Sequence, residues 1–347
     1  MTTQIKVQIV GATGYAGGDL LRILLRHPHV EIVSLVAADV DTPTAVETIW
    51  PDLRGSNVVP IHPAGGAIPD PLDLTFMATP DKVAMKLAPE YLDRGVKVID
   101  FAGDFRFADP ALHDEWYGGP HTSPELCVKA VFGLPELFRN EIPKAQLIAN
   151  PGCYSTSAIL GLYPAVNASV VNPQGVVVSC ASGVTGAGKH PSLAFHHPET
   201  AEDFRAYKIA THRHTPEMEE ILRIASGKEV RLTFVPHLLP VRRGILATMF
   251  AERTTSDSIE DIHRIYKETY AGEPFIRVLP LGEAPRLHAV QLSNFCDISV
   301  HEDPRTQKLI ILAALDNTGK GASSQAVQNM NLMASLDERT GLWPTHL

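Results

Sequence analysis

Cys153 is the residue of this sequence whose type and setting best fit a chemical role. It lies in the segment NPGCYST, where Asn150, Pro151 and Gly152 end an apolar run and a helical pattern follows. The start of a helix carries unpaired backbone N–H groups and partial positive charge, which favour the thiolate, the attacking form of cysteine. We therefore expect Cys153 to be a catalytic nucleophile. The alternative is a buried structural cysteine, the commoner setting of a thiol outside disulfides.

Two histidines lie at the start of another predicted helix. In the segment THRHTPE, we expect Thr215 to cap the helix and Pro216 to be its first residue, which places His212 and His214 at the helix N-terminus. The positive potential there disfavours the imidazolium and leaves a neutral ring that can accept or donate a proton. The alternative is a pair of solvent-exposed histidines.

Two further segments are candidates for binding an anion. Arg106 follows a predicted strand at the edge where open α/β sheets bind ligands, and a guanidinium can hold a phosphate or carboxylate in bidentate fashion. The glycine-rich loop that begins at Ser182 and Gly183 also follows a strand and could direct N–H groups at an oxyanion. A surface ion pair of Arg106 with Asp104 or Asp109, and a flexible connecting loop, are the alternatives.

A glycine-rich turn lies between the first predicted strand and the first predicted helix. The strand, Ile5 to Val10, leads into GATGYAG, and leucines then recur at helical spacing. Glycines in this setting let the backbone approach a pyrophosphate at a helix N-terminus. A turn without a ligand is the alternative. Asp39, two residues past the second strand, leaves the choice between NAD and NADP open. The predicted cofactor-binding residues of the turn are Gly11, Thr13, Gly14, Tyr15, Ala16 and Gly17.

The order of elements predicts an α/β protein with two domains. Strands and helices alternate up to about residue 150, which is typical of a Rossmann-type, doubly wound parallel sheet. Longer strands with fewer helices follow, which indicates an α+β catalytic and oligomerisation domain with a mixed sheet. The helical pattern near the C-terminus is expected to pack on the first domain. We therefore predict a dinucleotide-binding domain of residues 1–150 plus 319–347 and a second domain of residues 151–318.

Composition narrows the class of protein. The chain has 347 residues, 44% of them hydrophobic, and a formal net charge of -9, which argues against a nucleic-acid surface. We expect no membrane span, because no apolar run reaches the roughly 18 residues that a bilayer requires, and no signal peptide, because the N-terminus leads directly into a strand-like pattern. The expected location is therefore the cytoplasm. The four cysteines are widely spaced, so neither a disulfide framework nor a metal site is expected.

Taken together, these segments resemble the N-acetyl-γ-glutamyl-phosphate reductase family, which is related to aspartate-semialdehyde dehydrogenase. The resemblance extends along nearly the whole chain and departs from the usual family pattern at Ser155, Asp81 and Gly319. The segments that carry it are GATGYAGGDLLRIL, DFAGDFR, VFGLPEL, NPGCYSTSAILGLYP, SGVTGAGKHPS, AYKIATHRHTPEM, RRGILATMF and DNTGKGASSQAVQNMNLM.

The resemblance implies an enzyme that uses NADP(H) and a small acyl phosphate as substrate. In such an enzyme the thiolate of Cys153 attacks the acyl phosphate and forms a thioester, which is reduced to the semialdehyde. His214 would be the acid/base group, with His212 as a substrate-orienting or alternate proton partner. Arg106 would bind the phosphate, Asn317 and Asn294 would contact the cofactor, and the chain would form a dimer or tetramer. The alternatives are a paralogous reductase of a carrier-bound aminoadipyl phosphate in lysine synthesis and a non-catalytic dinucleotide sensor.

Overall fold

The computed structural model describes residues 4–343, which divide into two compact units. Unit 1 comprises the described residues up to Pro151 together with those from Ala322 onward. Unit 2 comprises Gly152–Gly321. None of the described helices combines the length and the apolar character needed to cross a bilayer.

Unit 1 is built on a seven-stranded sheet of order β3-β2-β1-β4-β5-β7-β6, in which every strand pair is parallel. This sheet confirms the predicted Rossmann-type doubly wound fold. Its strands are β1 (Ile5–Val10), β2 (Val30–Ala37), β3 (Ile61–Pro63), β4 (Leu74–Met77), β5 (Lys97–Asp100), β6 (Val131–Phe132) and β7 (Leu147–Ala149). Its helices are α1 (Tyr15–Leu24), α2 (Val46–Ile49), α3 (Ala84–Asp93), α4 (Pro110–Tyr117), α5 (Pro124–Cys127) and α6 (Pro135–Phe138).

The glycine-rich turn follows β1, which lies between β2 and β4 at the centre of this sheet. The chain moves to β2 on one side and later to β4 on the other, so this is the switch point at which open α/β sheets bind ligands. Gly11 has φ +94°, and a Cβ there would lie 2.2 Å from the Ala78 carbonyl oxygen. Only a glycine at this position therefore lets the turn lie so close to the end of β4.

Two carboxyl groups organise the edge of the sheet beyond β5. The Asp104 carboxylate, almost fully buried, accepts hydrogen bonds from the Lys82 and Met85 backbone N–H groups at 2.7 and 2.9 Å and so satisfies the first turn of α3. Desolvation opposes ionisation of Asp104, but these hydrogen bonds and the nearby His113 ring, whose Nε2 lies 3.9 Å from the carboxylate, lower its pKa overall. Asp100, at the end of β5, is fully buried, and this burial raises its pKa well above the usual range, reinforced by the charge of Asp104.

Unit 2 contains a second seven-stranded sheet, of order β12-β13-β14-β11-β8-β10-β9, that mixes parallel and antiparallel pairs. The predicted mixed sheet is thus confirmed. Its strands are β8 (Gln174–Gly183), β9 (Arg205–Ala206), β10 (Arg231–Leu239), β11 (Ile245–Glu252), β12 (Ile276–Val278), β13 (Cys296–Asp303) and β14 (Lys308–Leu315). Its helices are α7 (Cys153–Asn167), α8 (His197–Thr200), α9 (His214–Ser226), α10 (Ile259–Thr269) and α11 (Leu287–Val290).

Helix α7 is the central element of unit 2. Almost all of its residues are buried, and it packs against β11, β14 and α9. Gly161 lies where a Cβ would meet the Met249 side chain at 2.4 Å, so the helix rests closely on β11. Because α7 is buried on every side, the surrounding elements of unit 2 fix its position. The place of its first residue is fixed with it.

The chain returns to unit 1 after a π-helical turn, Gly319–Ser323, and ends in α12 (Ser324–Met333). The Ser323 hydroxyl donates to the Ala16 carbonyl oxygen at 2.8 Å, and the Asn329 amide donates to Gly133 and Asn150. These contacts join the C-terminal helix to the sheet edge that carries the glycine-rich turn. Strand β13 was not predicted, because its sequence CDISVHED lacks a clear alternation of apolar and polar residues.

We expect opposite effects from removing the two carboxyl charges beyond β5. Asp104→Asn should lower the free energy of unfolding at pH 7 by about 1–3 kcal/mol, because a buried charged acceptor is lost. The deficit should shrink as the pH falls through about 4, because the lowered folded pKa of Asp104 stabilises only above that range. Asp100→Asn should be neutral at low pH and increasingly stabilising as the pH rises, because the raised folded pKa of Asp100 costs stability there.

Urea unfolding of both variants and the parent protein at several pH values between about 3 and 8, a range that extends below the ordinary pKa of an aspartate, tests this. Equal effects of the two substitutions, or a pH dependence of the same sign for both, would contradict the assignment.

Candidate active site

Cys153 is the first residue of α7, and its side chain is partly exposed. The helix N-cap, Gly152, has extended backbone geometry and no side chain, so no side-chain group caps the first turn. Cys153 therefore lies at the helix start predicted from the sequence, in the turn that carries unpaired N–H groups and partial positive charge. This setting stabilises a thiolate that solvent and small molecules can reach.

The turn in front of the thiol is held by a carboxylate that sequence reasoning did not assign to the site. Glu217, fully buried in the first turn of α9, accepts a hydrogen bond from the Gly152 backbone N–H at 2.8 Å. A hydrogen bond to a charged group is worth about 1.5–3 kcal/mol. The N-terminal turns of α7 and α9 are thereby joined one residue before the nucleophile.

Gly321 lies against the backbone of Cys153 from a third element, the π-helical turn. A Cβ at Gly321 would lie 2.8 Å from the Cys153 Cβ and 3.2 Å from its Cα. Any larger residue would displace Cys153 or its turn. The position of this turn is set by the buried Asp316 carboxylate, which accepts from the Gly319 and Thr318 N–H groups and forms an ion pair with Arg243 at 2.7 Å.

Both predicted histidines are buried at the start of α9, although the cap differs from the expected one. The helix begins at His214, so Thr215 lies inside its first turn and is not the N-cap. The capping acceptor is instead the His212 ring, whose Nδ1 accepts a hydrogen bond from the His214 backbone N–H at 3.1 Å. This bond requires a lone pair on Nδ1 and places the proton of a neutral His212 ring on Nε2.

Tyr154 connects the two helix starts. Its ring lies 5.4 Å from the centre of the His212 ring and 5.9 Å from that of His214, and the two imidazoles are 4.7 Å apart. Its hydroxyl shares a hydrogen bond of 3.0 Å with Tyr207. Burial raises the pKa of Tyr154 and raises the pKa of Tyr207 to about 12, so both phenols stay neutral and act as hydrogen-bonding groups. The residue after the nucleophile is thus packed on the histidine pair.

The other three cysteines have a structural setting. Cys127, Cys180 and Cys296 are buried, and no disulfide occurs between cysteines of the described chain. Burial raises the pKa of the Cys127 thiol to about 11 and also raises that of Cys180, which keeps both protonated at neutral pH. Cys153 differs from these three cysteines in having a partly exposed side chain.

The glycine-rich loop after β8 lies in the same unit but is tied to its own surroundings. The Ser182 hydroxyl is buried and donates to the Gly183 carbonyl oxygen, while the Gly183 N–H donates to the Gly244 carbonyl oxygen at 2.9 Å. The Gly183 N–H is therefore engaged and does not point at an oxyanion. The loop itself is anchored by the Asn317 amide, which donates to the Thr185 hydroxyl and accepts from the Gly244 N–H.

The predicted cofactor residues are divided between the two units. Asn317 and Asn294 are buried in unit 2, and the bonds of Asn317 to Thr185 and Gly244 give that amide a structural role. The glycine-rich turn lies in unit 1, where Gly14 is the N-cap of α1 and no side chain caps the first turn of that helix. Backbone N–H groups at such a helix start fit the pyrophosphate of a dinucleotide. The turn residues are Gly11, Thr13, Gly14, Tyr15, Ala16 and Gly17.

Arg106 is buried in unit 1 and is not a surface residue. Its guanidinium donates to the carbonyl oxygens of Phe101 and Asn150 at 2.7 and 3.0 Å. These carbonyls follow β5 and β7, so Arg106 ties together two neighbouring strand ends of the parallel sheet. Asn150 also lies three residues before Cys153 in the chain.

Sequence reasoning missed the residues that position the nucleophile. Glu217, Gly321, Asp316 and Tyr207 are far from Cys153 in sequence, and nothing in their local patterns indicates a site. For Glu217 the available signal was its place in the first turn of the helix that carries both histidines. No group of histidines, cysteines and acidic residues that could hold a metal ion occurs within residues 4–343.

Comparisons with known proteins agree with this geometry. The model of the semialdehyde dehydrogenase NAD binding domain matches residues 6–145, and that of the semialdehyde dehydrogenase dimerisation domain matches residues 153–317. The N-acetyl-gamma-glutamyl-phosphate reductase of Desulforudis audaxviator is 45% identical over 341 residues, which cover 97% of this chain and 98% of that protein. The enzyme of the same name from Pelotomaculum thermopropionicum is 45% identical over 339 residues, with 97% of each chain covered.

Solved structures share the fold at lower sequence identity. Aspartate semialdehyde dehydrogenase II from Vibrio cholerae aligns with a TM-score of 0.74 at 18% identity, over 96% of this chain and 99% of that one. Aspartate semialdehyde dehydrogenase with NADP from Candida albicans aligns with a TM-score of 0.67 at 14% identity, again over 96% and 99%. The relatives that are 45% identical over nearly the whole of both chains show that this chain belongs to the N-acetyl-gamma-glutamyl-phosphate reductase family.

Proposed function

We propose that this chain catalyses the NADPH-dependent reduction of N-acetyl-L-glutamyl 5-phosphate to N-acetyl-L-glutamate 5-semialdehyde and phosphate, a step of arginine biosynthesis. The observation that carries the proposal is the setting of Cys153, a partly exposed thiol at the first residue of α7 whose turn is held by Glu217 and Gly321. Relatives at 42–45% identity over nearly the whole chain bear the name of this reductase.

Covalent catalysis by Cys153 follows from its position. The thiolate attacks the acyl carbon, the bond to phosphate breaks, and a thioester on Cys153 remains. NADPH, when bound, supplies the hydride that reduces this thioester. The thiolate then leaves as the semialdehyde forms, and the first turn of α7 stabilises its returning charge.

His214 is the proposed acid/base group of the pair. The Nδ1 atom of His212 accepts from the His214 backbone N–H, so His212 serves the helix start and its ring is held in one orientation. This hydrogen bond leaves His214 as the better candidate for exchanging a proton with the substrate oxygen. His212 orients the neighbouring ring through their 4.7 Å contact.

Substrate and cofactor contacts are proposed for each unit separately. In unit 1, the turn from Gly11 to Gly17 would hold the pyrophosphate of NADP(H), and the charge of Arg106 would attract the substrate phosphate while its guanidinium orders the strand ends. In unit 2, Ser182 and Gly183 would shape the substrate loop, and Asn294 and Asn317 would support the nicotinamide side.

A homo-oligomer is proposed from the outer face of the second sheet. On the side opposite α7, apolar residues of neighbouring strands line up in register and stay partly exposed, with Val177 38% exposed. Such a face is suited to burial against a second copy of the chain, and the family model for this unit is described as a dimerisation domain. The residues of this face are Val177, Leu246, Phe250, Ile310 and Leu312.

We place the reaction in the cytoplasm. The four cysteines include a reactive one at position 153, and none of them is in a disulfide within the described chain. Reduced thiols of this kind persist in reducing compartments.

Replacing the nucleophile tests the proposed chemistry directly. Cys153→Ser should abolish the phosphate-dependent reduction of NADP⁺ by the semialdehyde, because an alcohol is a far weaker nucleophile, while nucleotide binding stays unchanged. Cys127→Ser, which alters a protonated structural thiol, is the control and should remain active. Mixing the parent enzyme with the acyl phosphate in the absence of NADPH should give a mass increase of one acyl group on Cys153.

An unmodified Cys153 in a parent enzyme that binds nucleotide and shows no turnover would indicate a dinucleotide sensor. Faster reduction of an aminoadipyl phosphate by the same preparation would move the substrate assignment to the lysine branch.

The two histidines should respond differently to the same substitution. His214→Asn should lower kcat by roughly 10² to 10⁴ and remove one limb of its pH profile, as expected for loss of an acid/base group. His212→Asn keeps a side-chain oxygen that can cap the His214 N–H, so it should change kcat much less. Steady-state rates of both variants between pH 6 and 9 distinguish them, and the reverse order of effects would assign proton transfer to His212.

A further inference from the structure

Asp39 lies at the cofactor edge of unit 1, although it follows β2 by two residues. Its carboxylate accepts a hydrogen bond from the Thr13 hydroxyl at 2.6 Å, and Thr13 belongs to the glycine-rich turn between β1 and α1. The bond spans two strand ends that are adjacent in the sheet, since β1 and β2 pair in parallel as far as Val10 and Val36. The carboxylate is therefore held against the turn that would bind the pyrophosphate.

The segment after β2 is attached to the same turn at a second point. The Trp50 indole N–H donates to the Ala12 carbonyl oxygen at 3.0 Å. The Trp50 ring also packs directly on Gly18 of α1, where a Cβ would lie only 2.4 Å from the ring. With Asp39 at one end and Trp50 at the other, residues 39–50 are attached to the turn and to the start of α1. The Thr13 bond holds Asp39 itself, and the Trp50 bond holds the other end of its segment.

The segment that follows β2 is acidic. The chain has no lysine or arginine between Arg26 and Arg54, while Asp39, Asp41 and Glu47 lie in that interval. Arg22, on α1, is engaged by carboxylates: its guanidinium binds Asp52 in bidentate fashion at 2.7 and 2.8 Å. The hydrogen bond with Asp52 also raises the pKa of Arg22. No cation of this segment is therefore positioned to receive a 2′-phosphate beside Asp39.

An acidic group after the second strand of a dinucleotide-binding fold accepts hydrogen bonds from the ribose 2′-hydroxyl of NAD, whereas an arginine there accommodates the 2′-phosphate of NADP. The Thr13 bond uses one oxygen of Asp39 and orients the other oxygen of the carboxylate. That carboxylate would meet a 2′-phosphate with like charge, which weakens binding.

Resting on the proposed dinucleotide-dependent reduction, we propose that Asp39 sets the ribose specificity of this chain and that the protein accepts NADH as well as NADPH. The pyrophosphate turn serves both nucleotides alike, because both carry the same diphosphate. The two nucleotides differ only at the 2′ position of the ribose. There the Asp39 carboxylate disfavours the phosphate of NADPH and can accept a hydrogen bond from the hydroxyl of NADH.

The test is direct binding of each reduced nucleotide to the full-length protein by isothermal titration calorimetry, which needs no turnover. The parent protein should bind NADH within about tenfold of NADPH. Asp39→Asn and Asp39→Ser should tighten NADPH binding by about tenfold while leaving NADH binding unchanged or weaker, since the like charge is removed. Asp41→Asn changes the net charge equally two residues away and should leave the NADPH to NADH ratio of Kd values unaltered.

A parent protein that binds NADPH more than a hundredfold tighter than NADH overturns the inference, as does a ratio of Kd values that Asp39 variants leave unchanged. Either result leaves the proposed reduction intact, because that rests on Cys153. Binding of neither nucleotide would instead contradict the dinucleotide-dependent function itself. Quenching of Trp50 fluorescence at the turn gives a second readout, which should follow the same order of affinities.

Discussion

The hydrogen bond from the Gly152 N–H to the buried Glu217 carboxylate is the interaction on which the candidate site of unit 2 depends. Helix α7 is enclosed on every side and cannot shift its register without losing apolar burial, so its first residue has a defined place. Glu217 fixes the turn before that residue and brings the start of α9 beside it. The thiol, the histidine pair and the tyrosine that contacts both rings are consequences of this single junction.

Charge is used differently in the two units. In unit 2, the partial charges of helix starts and one buried carboxylate surround a nucleophile that must ionise and later leave. In unit 1, buried carboxyl groups and Arg106 organise the loops beyond β5 and β7, where hydrogen bonds lower the pKa of Asp104 against its desolvation and burial raises the pKa of Asp100. The same unit presents a turn with an uncapped helix start, which suits the diphosphate of a nucleotide, and an acidic residue beside it. The groups around Cys153 in unit 2 thus favour covalent chemistry, whereas the turn and the acidic residue of unit 1 favour binding of a nucleotide.

Part of this architecture was predictable from local patterns. Strand β1 was expected at its observed bounds and a helix was expected directly after the glycine-rich turn, where α1 lies, because alternation and helical spacing are clear there. The parallel character of the first sheet followed from the alternation of strands and helices. Strand β13 and the start of α9 were not predicted correctly. The first lacks alternation, and the second is capped by a histidine ring, which no propensity rule assigns.

By itself, the sequence determined the class of fold, the place of Cys153 at a helix start and the glycine-rich turn, because each depends on residues that are neighbours in the chain and on rules of local geometry. Only the tertiary structure decided which groups surround them. Glu217, Gly321 and Tyr207 reach the nucleophile region, and Asp39 reaches Thr13, through contacts between residues 26 to 168 positions apart. Such contacts depend on how buried helices and strands pack, and a local pattern of residue types carries no record of that packing.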